Sequence, residues 1–237
     1  MDIRKVLAKL ADLADPIAVE GMARFGITAK CIYGVSIPNL RKMAKEIGKD
    51  QTLSLKLWNY ESRETRILAA MVGEAVKVTK EQMDTWVADF DSWEVCDQVI
   101  MNLFEKTTYA YSKAFEWYKR EEEFVRRSGF VLMARLAVSD KKAGDEQFLQ
   151  FFPLIKDKSL DERNFVKKAV NWALRQIGKR NINLNAKAVK LGEEMILLDS
   201  KSAKWIASDA LRELNSEAVQ DRLKKKERSR DATHQLL

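Results

Sequence analysis

In the segment VADFDSWEVCDQVIMNLF, Trp93 and Asp97 stand four residues apart. On a helix that spacing puts them on one face, one turn from each other. An aromatic face and a carboxylate pointing the same way suit a cationic ligand: the ring attracts the cation, and the carboxylate supplies the countercharge. The alternative is a packed tryptophan with Asp97 paired to a lysine or arginine of a neighbouring helix. A second segment, DERNFVKKAVNWALRQIGKRN, carries Arg163, Lys167, Lys168, Arg175, Lys179 and Arg180 and no acid between Arg163 and Arg180. Phe165, Ala169, Trp172, Ala173 and Ile177 recur within it at three- and four-residue steps, the stripe of an amphipathic helix. Such a run of positive charge beside Trp172 attracts a polyanion, with the ring available to meet a base. Its alternative is a solvated basic face with a core tryptophan.

Other chemistries are excluded by composition. The single histidine, His234, lies near the C-terminus, so neither a histidine metal site nor a Ser–His–Asp triad is available. Cys31 and Cys96 are isolated and give no metal spacing and no disulfide framework, which points to a reducing, cytoplasmic setting. Cys96 reads as a packed, inert thiol. The N-terminus, MDIRKVLAKLADLAD, is charged throughout and does not read as a signal peptide. No uncharged apolar run approaches the roughly 20 residues needed to cross a bilayer. Net charge is +7 over 237 residues. From Arg222 onward six cations face two anions, so this end supplies +4 of the total. The body is only mildly basic, and a nucleic-acid face there must come from local clustering.

The elements that position these residues are helices. Three prolines, nine glycines and the lack of any sustained alternating pattern leave no room for a sheet. Apolar spacing predicts helices near 2–14, 16–26, 37–47, 51–58, 61–76, 80–89, 93–105, 108–118, 121–138, 145–155, 162–178, 184–197, 201–213 and 215–226. Thr79 with Gln82 and Asp91 with Glu94 have the spacing of a capping box. Gly48 and Gly178 sit where helices should stop. The segments FVRRSGFVLMARLA, FVKKAVNWALRQIG and AKWIASDALREL align on Arg127, Lys168 and Trp205, an interval that suits two antiparallel helices per unit. The expected architecture is all-α: a HEAT-like helical-repeat solenoid over residues 1–226, with a basic, flexible tail at 227–237. Arg126, Arg127, Lys167 and Lys168 would share its concave side and make a basic groove for duplex DNA. Trp58, Trp86, Trp117 and Trp205 fall on crowded apolar faces and read as core.

Taken in order, S-W-x-x-x-D, an Arg-Arg pair on a later helix and K-K-A-x-x-W-x-L-R resemble the AlkD family of DNA alkylation repair glycosylases. The resemblance runs from MARFGI near residue 22 to WIASDALREL near residue 205. It implies excision of cationic N3- or N7-alkylated purines from duplex DNA, with Asp97 as the catalytic carboxylate, Trp93 and Trp172 facing the lesion, and Arg127 holding the adjacent phosphate. It also implies a lesion that stays stacked. Arg126, Lys167, Lys168, Arg175, Lys179, Arg180 and Phe25 are the expected DNA contacts. Phe25 stands where the family's aromatic is a tyrosine, so a hydroxyl is missing. No metal or nucleotide cofactor is required, and without an identifiable Schiff-base lysine no lyase step is expected. The expected partner is double-stranded DNA containing alkylated bases, bound by a monomer in the cytoplasm and associated with the nucleoid. Two other readings stay open: a non-catalytic HEAT-like binder of damaged or branched DNA, and a HEAT-like protein-interaction scaffold.

Overall fold

Among the described residues, nine helices open on a short polar residue whose side chain accepts a backbone N–H of the first turn: Asp2, Asp15, Ser36, Asp50, Ser62, Thr79, Ser92, Asn181 and Ser200. Each such cap is worth about 1 kcal/mol and fixes where its helix begins. The computed structural model describes residues 1–27 and 31–234, with side chains described to residue 228, and no strand occurs among them. The chain divides into two compact units, Met1–Ala110 and Tyr111–Leu237.

The first unit holds α1 (Ile3–Asp12), α2 (Pro16–Ala23), α3 (Ile37–Ile47), α4 (Gln51–Trp58), α5 (Arg63–Val72), α6 (Lys80–Ala88) and α7 (Trp93–Asn102). Single 3-10 turns lie at Ala75–Lys77 and Phe104–Lys106. Helix α5 packs against α3, α4 and α7, and α1 packs against α4. Every side chain of α5 is buried. Trp58 and Trp86 stack with ring centroids 3.9 Å apart and planes within 3°. The Trp58 indole N–H donates to Asp89 Oδ2 at 2.8 Å. Polar contacts here recur at one interval: Tyr33 with Glu64, Gln51 with Gln82, Trp58 with Asp89 and Arg63 with Glu94 are all 31 residues apart.

Helix α8 (Ala110–Trp117) begins at the division. The second unit continues with α9 (Glu123–Ser139), α10 (Asp145–Leu149), α11 (Phe151–Lys158), α12 (Asn164–Gly178), α13 (Ile182–Ile196), α14 (Lys201–Leu214) and α15 (Glu217–His234). Helix α12 is central, packing on α9, α11, α13 and α14. Contacts here recur 38 residues apart: Arg127 with Phe165, Lys156 with Glu194, Asn171 with Asp209 and Arg175 with Glu213. These intervals agree with the recurrence near 40 residues in the sequence, and across one of them Arg127 meets the Phe165 carbonyl. Lys167 stands opposite Trp205, its ammonium 5.1 Å from the ring centroid.

Two local expectations are corrected and a third is extended. The cap of α7 is Ser92, because Asp91 turns to Arg66 and Glu94 turns to Arg63. Gly178 is the last residue of α12, where a stop was expected, and packing requires it as well: a Cβ there would lie 2.8 Å from both Ala188 and Leu214. Segment 145–155 is two helices. Pro153 lacks an N–H and its ring opposes the carbonyl four residues back, so continuous pairing through Gln150 fails. Trp58, Trp86 and Trp117 are buried as expected, whereas Trp205 is 41% exposed.

Candidate active site

Helix α7 carries the first half of the site. Ser92 Oγ accepts the Val95 N–H, which sets the helix start at Trp93. Trp93 is half-buried, and its indole N–H donates to the Phe25 carbonyl at 2.9 Å, which restrains the ring. The Phe25 side chain is 72% exposed. Asp97 follows one turn later, about 6 Å along the axis, and is only 9% exposed. Cys96 is fully buried.

The first turn of α7 is held by a buried ion pair. Arg63 Nε donates to Glu94 Oε2 at 2.7 Å and Nη2 to Glu94 Oε1 at 2.9 Å, a two-pronged contact. Arg63 Nη1 also donates to Glu64 Oε1 and to the Val35 carbonyl. Glu64 accepts the backbone N–H groups of Tyr33, Gly34 and Val35. Burial by itself would lower the Arg63 pKa, but Glu94 and Glu64 raise it above the ordinary guanidinium value. The network ties the 33–35 loop, α5 and α7 into one rigid support. Gly34 is required there: its φ is +81°, and a Cβ would lie 2.2 Å from the Asp15 carbonyl oxygen.

The second unit carries the other candidates. Arg126 and Arg127 on α9 are both buried. Arg127 Nη1 donates to the Phe165 carbonyl at 2.7 Å. Arg126 donates to Asp161 at 2.8 Å and to Glu121 at 2.7 Å. Arg163 also holds Asp161. Burial by itself would raise the Asp161 carboxyl, but hydrogen bonds from Arg163 and Arg126 bring it down to about 2. On α12 the buried stripe is Val166, Ala169, Val170, Ala173, Leu174 and Ile177, and Trp172 lies half-exposed beside it. Arg175 and Lys179 share the Glu213 carboxylate. Burial would raise the Glu213 pKa, and these two cations lower it below the ordinary value. Arg180 donates to the carbonyls of Ala137 and Ala143 and lies over the Phe148 ring at 4.2 Å. Lys168 is exposed, and Lys167 is half-buried against Trp205.

The structure thus brings Phe25 to Trp93 and sets Asp97 one turn beyond. It joins Arg127 to the backbone of α12, the helix that bears Trp172. Much of the basic run is internally neutralised. Arg63, Glu64, Asp161 and Glu213 escaped the sequence reading, since their partners lie on other helices and charged residues at helical spacing look solvated. Among the described residues no helix is long and apolar enough to cross a membrane.

Residues 6–214 match the family model described as DNA alkylation repair enzyme. No curated protein matches the chain. A solved structure from "a new family of proteins related to the HEAT-like repeat DNA glycosylases with affinity for branched DNA structures" superposes with a TM-score of 0.75 at 18% identity, covering 90% of this chain and 95% of that one. A likeness of that kind establishes the fold, a HEAT-like helical repeat. An engineered protein covers 74% of this chain and 90% of its own at 14% identity, with a TM-score of only 0.39, too loose a match to bear on the fold. With the match spanning nearly the whole chain, the protein belongs to the DNA alkylation repair enzyme family.

Proposed function

We propose that the protein is a monofunctional DNA glycosylase that hydrolyses the N-glycosidic bond of positively charged N3- and N7-alkylated purines in duplex DNA. The observation that carries this reading is the pair on α7: a half-buried Trp93 restrained by the Phe25 carbonyl, and a nearly buried Asp97 one turn on. Alkylation makes the purine a cationic leaving group. As its bond to C1′ breaks, positive charge builds on the deoxyribose. Asp97 opposes that charge, and its small exposure strengthens the interaction, because a low local dielectric screens it little. The same carboxylate orients a water. Its oxygen bonds to C1′, the departing base keeps the glycosidic electron pair, and the water's second proton passes to solvent through Asp97. The products are a free base and an abasic site. Trp93 and Trp172 favour the cationic base. Arg127, its plane fixed by the Phe165 carbonyl, is assigned to the phosphate beside the lesion.

The supporting shell fits this chemistry. Glu94 is committed to Arg63, so it does not compete with Asp97 for the cation. The ion pair also prevents the first turn of α7 from yielding when DNA binds. The test is release of 7-methylguanine from a duplex containing it, with uracil in the same context as the neutral control. Release of the cationic base and not of uracil is expected.

A second reading, binding of damaged or branched DNA without excision, is favoured by two observations. The structural neighbour comes from a family with affinity for branched DNA. Arg126, Arg175, Lys179 and Arg180 are already engaged within the protein, which leaves fewer cations for a conventional duplex groove. Release of neither base, with tighter binding to a four-way junction than to a linear duplex, would select it.

A further inference from the structure

A cleft of about 1010 Å³ opens in the second unit at the C-terminal ends of α9 and α12, closed on its third side by α15. Lys141 and Lys142 line it from the loop after α9, Lys179 and Arg180 from the end of α12, and Arg222 and Lys226 from α15. Three acids also line it: Asp145, Glu146 and Glu227. Asp145 is held by the side-chain amides of Asn181 and Asn183, at 2.6 and 2.7 Å. Lys179 is paired with Glu213. Lys141, Lys142 and Arg222 are exposed, and among the described residues they form no ion pair. Lys226 reaches across to the carbonyls of Lys179 and Arg180, at 3.4 and 3.3 Å, and so ties α15 to the end of α12.

The cations face one another with too little countercharge. Burial and then the fields of Arg222, Lys141 and Arg180 lower the Lys226 pKa. An anion entering the cleft relieves that repulsion. The cleft is far larger than one phosphate, and its cations come from three elements without converging on a point. That distribution matches a chain of spaced charges. Measured along α9, Ala137 is ten residues past Arg127, about 15 Å, so one phosphate cannot meet both Arg127 and the cleft.

We propose that this cleft grips the phosphodiester backbone of bound DNA at a place separate from Arg127 and Trp172, as an anchoring site that contributes affinity and takes no part in base release. It rests on the reading of the protein as a DNA-repair enzyme, and it gives the basic helix α15 a role.

The test is the double variant Lys141→Glu/Arg222→Glu in the full chain, both positions being exposed, with circular dichroism to verify folding. With Arg127, Lys167 and Lys168 supplying three contacts beside those of Lys141 and Arg222, the parent protein is expected to show a log–log salt slope of about −4.5 on linear duplex. Loss of two phosphate contacts should bring it to about −2.7. Affinity at low salt should fall on the order of tenfold, while single-turnover release of 7-methylguanine at saturating protein stays within about twofold. Unchanged affinity and slope overturn the anchoring site. So does inhibition of parent DNA binding by millimolar inorganic phosphate beyond that of chloride at equal ionic strength, since that marks a small-anion site. A parent that releases no base but shows the slope change loses the excision reading and keeps the anchor. A parent that binds no duplex loses both.

Discussion

Replacing Glu94 by alanine removes both acceptors that hold Arg63 Nε and Nη2, and nothing else in the 1%-exposed surroundings of that guanidinium replaces them. Glu64 and the Val35 carbonyl still receive Nη1. The cost is that of a buried charge stripped of its main partner, about 3–5 kcal/mol. Two lost charge-assisted hydrogen bonds at roughly 1.5–3 kcal/mol each give about 3–6 kcal/mol, which overlaps that range. Against the 5–15 kcal/mol typical of folded proteins this is a large fraction. For a chain of this size each kcal/mol moves the melting midpoint by about 2–4 °C, so a fall of about 10 °C is expected. The assay is urea and thermal unfolding followed by circular dichroism. Glu94→Gln, which keeps one acceptor, should fall between the parent and Glu94→Ala. Arg63→Met/Glu94→Met removes the charge together with its partner and should cost less than Glu94→Ala alone. A loss below about 1 kcal/mol for Glu94→Ala would refute the view that this ion pair is the support of α7.

Three further outcomes follow from the same geometry. The Asp161 carboxyl is held at about 2, below its ordinary 3.8, so its contribution is fully present above about pH 4 and lost as pH falls toward 2; acid titration of stability should be shallower in that window for Asp161→Asn. Trp93→Ala should slow release of a cationic purine by roughly 5- to 30-fold, the equivalent of about 1–2 kcal/mol of desolvated cation–π contact, in single-turnover assays. Duplex affinity should fall steeply with salt, and a flat salt response would remove the electrostatic account of binding.

Helix content was legible throughout, because apolar spacing and cap residues are local properties. Thr79 and Gly48 mark helix ends as their types predict. Partner choice was not legible. Glu94 has the spacing of a capping residue, yet Arg63, 31 residues earlier, claims it. The run from Arg163 to Arg180 looks like an open basic face, yet Asp161 pairs with Arg163 and Glu213 with Arg175 and Lys179, so half of its six cations are neutralised within the protein. Trp172 seemed part of the apolar stripe, since period alone does not separate a stripe's centre from its edge; the packed helices leave it half-exposed. The cleft at α15 drew no notice in the sequence, because Lys141, Lys142 and Arg222 come together only through the fold. α15 itself continues to His234, past the limit at 226 set by apolar spacing.

The most direct measurement is single-turnover release of 7-methylguanine by Asp97→Asn beside the parent, with duplex affinity measured on the same preparations. Asparagine keeps the shape and removes the charge. The expected result is a rate lower by on the order of 10²-fold or more with DNA affinity little changed. Release at the parent rate would contradict the assignment of Asp97 as the group that opposes the developing sugar cation.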